Sequence, residues 1–161
     1  MEKISDKLFI ELYEENKNAI FRIAFSYLGV YEDAENVMQE TFLKFYTNPP
    51  KDMSNILGWL ARVARNQSLD IIRGRKREEK IINNFENDFI NDDNKKTEFD
   101  ILSLVLKLPK NYSEVIRLYY YGDLSVKEIS VALKTSESNI KKRLERAREK
   151  LKEMMEEIRN D

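Results

Sequence analysis

The 161-residue chain contains no cysteine and no histidine. Without cysteine it forms no disulfide, thiolate zinc site, Fe–S cluster or thiol nucleophile. Without histidine it lacks the commonest general base and the commonest metal ligand. Only 4 glycines and 3 prolines are present, which predicts a mostly helical fold and leaves no glycine-rich phosphate loop or dinucleotide fingerprint. No apolar run approaches the roughly 18 residues that a membrane span needs, and Met1–Asp6 lacks a signal segment. The expectation is a cytoplasmic protein with no metal and no cofactor.

Charge is what the chain has in abundance. Lysine and arginine number 28 against 29 acidic residues, so the formal net charge is only −1. The charges are nevertheless sorted along the sequence. Residues 1–46 carry a net −4, residues 60–80 a net +4, residues 83–100 a net −4 and residues 134–152 a net +5. Nucleic-acid binding depends on local basic patches, so a near-neutral total does not argue against it. Alternating blocks suit a protein that touches a polyanion and a second partner, although solvated helix faces give the same pattern.

Apolar spacing predicts a helix over 6–28, stopped by Gly29, and a second over about 32–46, ended by Thr47-Asn48-Pro49-Pro50. A third, over about 55–73, has Ser54 as its expected cap and Gly74 with Arg75-Lys76-Arg77 as its close. Residues 78–98 are rich in asparagine and aspartate and read as a flexible acidic linker. A short helix then precedes Leu108-Pro109, with Pro109 expected in the first turn of a helix that reaches Tyr121 and stops at Gly122. Ser125-Val126-Lys127-Glu128 is a capping-box pattern opening a helix to Leu133. After the turn at Lys134-Thr135, Ser136 caps a last helix whose buried stripe is Ile140, Leu144, Ala147 and Leu151. Two helices joined by so short a turn, the second strongly basic, form a helix-turn-helix signature. The expected architecture is all-α: two small helical domains, 1–77 and 99–161, joined by the linker. Each is small enough to need support from the other.

In the last helix, Ser136, Ser138, Asn139, Lys141, Lys142 and Arg143 fill the N-terminal turns, the part of a recognition helix that reaches base edges. Arg146, Arg148 and Lys150 follow where phosphates are met. The third helix carries Trp59, Arg62, Arg65, Asn66, Asp70, Arg73 and Arg77. This is a basic surface with an aromatic at one end, with Asp70 placed to pair with Arg73 or Arg77. Trp59 suits a core position better than a stacking platform. The second helix exposes Glu32, Asp33, Glu35, Asn36, Gln39 and Glu40. That face repels DNA and suits either solvent or a basic protein partner.

The residues Glu32-Asp33-Ala34-Glu35-Asn36-Val37-Met38-Gln39-Glu40-Thr41-Phe42 resemble the D-A-E-D-[LV]-[VT]-Q-E-[TV]-F motif of bacterial RNA polymerase sigma factors. Trp59 to Asn66, followed by Asp70 and Arg73, resembles their W-L-x-x-I-A-x-N-x-x-x-D-x-x-R. Ile140 to Leu151 is similar to their V-K-S-R-L-x-R-A-R-x-x-L. The likeness covers roughly 8–77 and 99–152, in the family's order, and the two-domain layout is that of the extracytoplasmic-function (ECF) group. It implies a transcription initiation factor rather than an enzyme, with core RNA polymerase, promoter DNA and an anti-sigma factor as partners. By resemblance, Asp33, Gln39 and Glu40, with Asn36 in a usually acidic position, meet the polymerase. Asn66, Asp70, Arg73 and Arg77 belong to the surface facing the −10 element, loop 47–56 cradles an extruded base, and residues 136–148 read the −35 duplex. Lys134 stands where glycine is common, Ser130 where alanine is, and Ser138-Asn139 where the family has Gly-Thr.

Two other classes fit parts of the sequence. A homodimeric helix-turn-helix regulator would bind an operator without polymerase, but would not need the Asp33, Gln39 and Glu40 pattern. A metal-dependent nuclease would have to use Asp92-Asp93, adjacent residues in a polar linker and so a poorly preorganised site.

Overall fold

A computed structural model describes residues 4–76 and 101–160. The first helix, α1 (Asp6–Leu28), opens where the Ser5 hydroxyl accepts a hydrogen bond from the Leu8 N–H at 3.2 Å. It closes on Gly29, whose φ of 69° lets its N–H reach the Phe25 carbonyl. Helix α2 (Tyr31–Thr47) ends at Asn48, ahead of the two prolines. Helix α3 (Ile56–Lys76) begins two residues past Ser54, leaving Asn55 in the cap position expected for Ser54. It also runs on through Gly74, where the expected end lay. Arg75 explains the extension, because it pairs with Asp33 of α2 and ties the last turn to the bundle.

These three helices close around Ile20, Ile23, Ala24, Val37, Phe42, Phe45, Leu60 and Ala64, all essentially inaccessible. Aromatic rings fill one end of the bundle: Tyr13 meets Phe42 edge-on at 5.0 Å, and Phe45 lies 5.8 Å from Trp59.

In the second unit, residues 101–107 are helical (α4). Helix α5 (Lys110–Ile116) starts just after Pro109, which occupies the cap position rather than the first turn. The chain then widens into a π-helical stretch, Arg117–Tyr121, where the sequence predicts an ordinary helix. Its mark is the Gly122 N–H donating to the Arg117 carbonyl five residues back, at 3.1 Å. Helix α6 (Val126–Leu133) carries the predicted capping box, with Ser125 and Glu128 exchanging bonds of 3.1 and 3.0 Å. Lys134 takes φ 51° to make the turn into α7 (Glu137–Asn160).

The two units share a continuous buried cluster. Helix α3 packs on α6, and α1 packs on the π-helical stretch. Glycine makes both approaches possible. A Cβ on Gly58 would stand 2.8 Å from the Val131 Cβ, and one on Gly122 would stand 2.7 Å from Ile23 Cγ1. The expected linker, 78–98, lies outside the described residues.

Candidate nucleic-acid interface

Ile140, Leu144 and Ala147 are buried and hold α7 against its own unit. The opposite side is left to the polar residues: Ser138, Asn139, Lys141, Lys142 and Arg146 are exposed, and Arg143 is half-buried. The Ser136 hydroxyl accepts the Asn139 N–H at 3.1 Å, so its oxygen is engaged as a cap. The Asn139 amide donates to Thr135 Oγ1 at 3.1 Å, which fixes its orientation at the start of the helix. Arg148, expected among the phosphate contacts, is held on its own domain instead. Its Nε donates to the Tyr120 hydroxyl at 3.0 Å, and its guanidinium lies 5.1 Å from the Tyr119 ring. The bond to Tyr120 raises its pKa further above the ordinary arginine value.

On α3, Asp70 and Arg73 form the expected exposed ion pair at 3.1 Å. Arg62 and Asn66 are half-buried, as is Trp59, whose ring packs onto Phe45 at the core edge. Arg77 lies outside the described residues. On α2, Asn36, Gln39 and Glu40 are exposed, while Asp33 is half-buried in its pair with Arg75.

Arg65 points to the second unit. Its Nε and Nη2 donate to the two Glu114 carboxylate oxygens at 2.7 and 3.2 Å, and its Nη1 donates to Asn66 Oδ1 at 2.9 Å. The Tyr27 hydroxyl donates to Glu114 Oε1 at 3.3 Å, and the Arg117 guanidinium stacks 4.6 Å from the Tyr27 ring. Burial, then Glu114, pushes the Tyr27 phenol well above its ordinary range. Burial pulls Arg117 down. For Arg65, burial also acts downward, but the Glu114 hydrogen bond and charge prevail and its pKa rises. A cleft of about 350 Å³ lies alongside, with Arg73 and Ile72 on one wall and Lys110 and Glu114 on the other. Tyr27, Glu114 and Arg117 escaped the sequence reading: each looks like an ordinary helix residue, and no local pattern joins positions 87 residues apart.

Among the described residues no three His, Cys, Asp or Glu side chains stand together as a metal site. No helix among them is long and apolar enough to cross a membrane.

A basic, solvent-facing helix behind a capped helix and a tight turn, mounted on a second all-helical unit, defines a helix-turn-helix protein. The Sigma-70 region 2 family matches residues 12–78, and the Sigma-70, region 4 family matches residues 98–151. The ECF RNA polymerase sigma factor SigM of Bacillus subtilis is 33% identical over 158 residues, covering 94% of this chain and 97% of its own. The ECF factor SigW of the same organism is 29% identical over 168 residues, covering 93% and 90%. The chain therefore belongs to the sigma-70 family, in its ECF group, and is an RNA polymerase sigma factor. The region 2 match goes against a plain operator-binding regulator, which has no use for that domain. Among solved structures, CnrH in complex with the cytosolic domain of CnrY superimposes with a TM-score of 0.71 at 22% identity, over 94% of this chain and 90% of that one. RpoE in complex with the anti-sigma factor NepR from Bartonella quintana gives 0.69 at 23%, over 93% and 98%. At those identities the likeness is one of fold.

Proposed function

We propose that this sigma factor divides promoter recognition between its two units, 1–77 and 99–161, across the acidic segment 78–98. The reading is carried by one observation: α7 presents Ser138, Asn139, Lys141, Lys142 and Arg146 to solvent behind a fixed turn, as a major-groove reader requires. Asn139 and Arg143 supply bidentate base contacts in the −35 duplex, Lys141, Lys142 and Arg146 meet phosphates, and Ser136 sets the helix entry. The α3 surface of Trp59, Arg62, Arg65, Asn66, Asp70, Arg73 and Arg77 faces the −10 element, and loop 47–56 receives an extruded base. Asn36, Gln39 and Glu40, with Asp33 at the edge, form the polymerase-facing side of α2.

On this reading the protein has no catalytic centre of its own. It works in the cytoplasm beside core polymerase and is restrained by an anti-sigma factor. The test is co-purification with bacterial core RNA polymerase, followed by transcription from a genomic promoter library. Selective initiation supports the reading and delivers the promoter sequence. A folded, inhibitor-free chain that fails to bind polymerase refutes it.

A further inference from the structure

Two buried polar atoms stand on one cleft without a hydrogen-bond partner among the described residues: the Ser113 hydroxyl oxygen and Arg117 Nε. Their residues are only 2% and 9% exposed. Burying such groups unpaired is costly, so each calls for an account. The cleft, of about 350 Å³, lies between α3 and the segment 106–117. Arg117 lays its guanidinium against the Tyr27 ring, and forms no ion pair with a described residue. Lys110, exposed on the same wall, forms none either. The other charges of the cleft are matched, Glu114 by Arg65 and Arg73 by Asp70.

We propose that this cleft binds a small phosphate monoester, its phosphate taken by Arg117, Lys110 and Ser113 and its apolar body laid on Leu69, Ile72 and Leu108. Binding there requires neither polymerase nor promoter, so it stands apart from the reading above.

Charge selects the head group. A phosphate monoester carries nearly two negative charges at neutral pH, which balances the two unmatched cations. Its free oxygens accept several hydrogen bonds, and the wall supplies an ammonium, a guanidinium N–H and a hydroxyl as donors. A carboxylate head would leave one cation unmatched. Burial already pulls the Arg117 pKa down, the mark of a cation short of compensation.

Volume and lining select the body. Pockets for small molecules run from roughly 300 to 1,000 Å³, so this cleft suits a single ring bearing a phosphate and excludes a nucleic-acid duplex. Leu69 and Ile72 on α3, with Leu108 ahead of α5, give it an apolar side. A ring placed there gains by leaving water.

Titration of the full chain with phenyl phosphate at fixed ionic strength tests the site. We expect saturable binding by calorimetry, about tenfold tighter than that of inorganic phosphate, which lacks the apolar body. Backbone amide shifts should move at 69–73 and 106–117 and stay in place along α7. Lys110→Ala should weaken binding about tenfold through loss of one charged contact. Lys107→Ala, which removes an exposed lysine outside the cleft, should not.

Ser113→Ala gives the sharper readout. It deletes a hydroxyl that lacks a partner in the free protein, so thermal stability without ligand should be kept while affinity falls several-fold. A merely structural serine would show the reverse. Dimethyl phosphate, a diester like the nucleic-acid backbone, should bind no more tightly than inorganic phosphate. The proposal is overturned if phenyl phosphate fails to saturate or if the shifts fall on α7. It is equally overturned if Lys107→Ala weakens binding as much as Lys110→Ala, or if the diester matches the monoester. All these readouts use the free factor, so failure of the functional reading would show separately, as absent polymerase binding.

Discussion

Arg65 and Glu114 form the most buried ion pair among the described residues, with side chains 20% and 8% exposed. They are 49 positions apart and belong to different units. Breaking such a pair from one side leaves the other group desolvated without its partner, which costs more than the pair contributes. Glu114→Ala strands both the Arg65 guanidinium and the Tyr27 hydroxyl. It should lower the free energy of unfolding by about 2–4 kcal/mol. Urea denaturation of the full chain checks this, and a change below about 0.5 kcal/mol would mean that water already serves the site.

The turn of the helix-turn-helix holds a residue that local physics disfavours. Lys134 sits at φ 51°, a left-handed conformation that a side chain adopts at a cost and glycine adopts freely. Lys134→Gly should therefore stabilise the protein by up to about 1 kcal/mol, net of the added flexibility of the unfolded chain. Ser125→Ala should do the opposite. It removes the hydroxyl that accepts the Glu128 N–H, and should cost about 1 kcal/mol. Thermal melts of the two variants should move in opposite directions.

The caps that frame these helices were readable in the sequence. Gly29, Ser125 with Glu128, and Ser136 each combine a residue type with a position where backbone donors or a reversed φ demand it. The ends of α3 were less readable. Asn55 takes the place expected for Ser54, and the pairing of Arg75 with Asp33 carries the helix past Gly74. The π-helical stretch at Arg117–Tyr121 has no local sign, since its ordinary helix-formers give way to an i→i+5 bond at Gly122. The exposed polar face of α7 was legible because its residues and their cap lie on one short segment. The Tyr27, Arg65, Glu114 and Arg117 cluster was not, because it exists only once two distant segments meet.

Tyr27 gives the junction a dependence on alkaline pH. Burial, with Glu114 second, raises its pKa above the ordinary value of 10.0, against the opposing pull of Arg117 and Arg65. The native state thus keeps the phenolic proton when the unfolded chain loses it. This contribution to stability is complete below about pH 10 and declines as pH rises toward the folded-state value. Between about pH 9 and pH 11, Tyr27→Phe should lose less stability than the parent, because the ring remains and the titrating group is gone. Parallel slopes of urea midpoint against pH would assign the alkaline loss to other groups.

Recognition and positioning on α7 should separate experimentally. Arg143→Ala and Asn139→Ala each remove a side chain suited to bidentate base contact, and should cut discrimination at one −35 position by about 1–3 kcal/mol. Asn139→Ala also frees Thr135 Oγ1 from its bond to the amide, so its effect includes some loss of order at the helix start. Lys141→Ala and Lys142→Ala instead remove exposed cations. They should weaken binding by a similar factor on every sequence and lower the salt dependence by about one phosphate contact each. Competition binding across single-base variants of the promoter, repeated at two salt concentrations, distinguishes the two behaviours. If Arg143→Ala altered the salt slope and left base preference intact, its half-buried guanidinium would be a phosphate clamp, and base reading would fall to Ser138 and Asn139 alone.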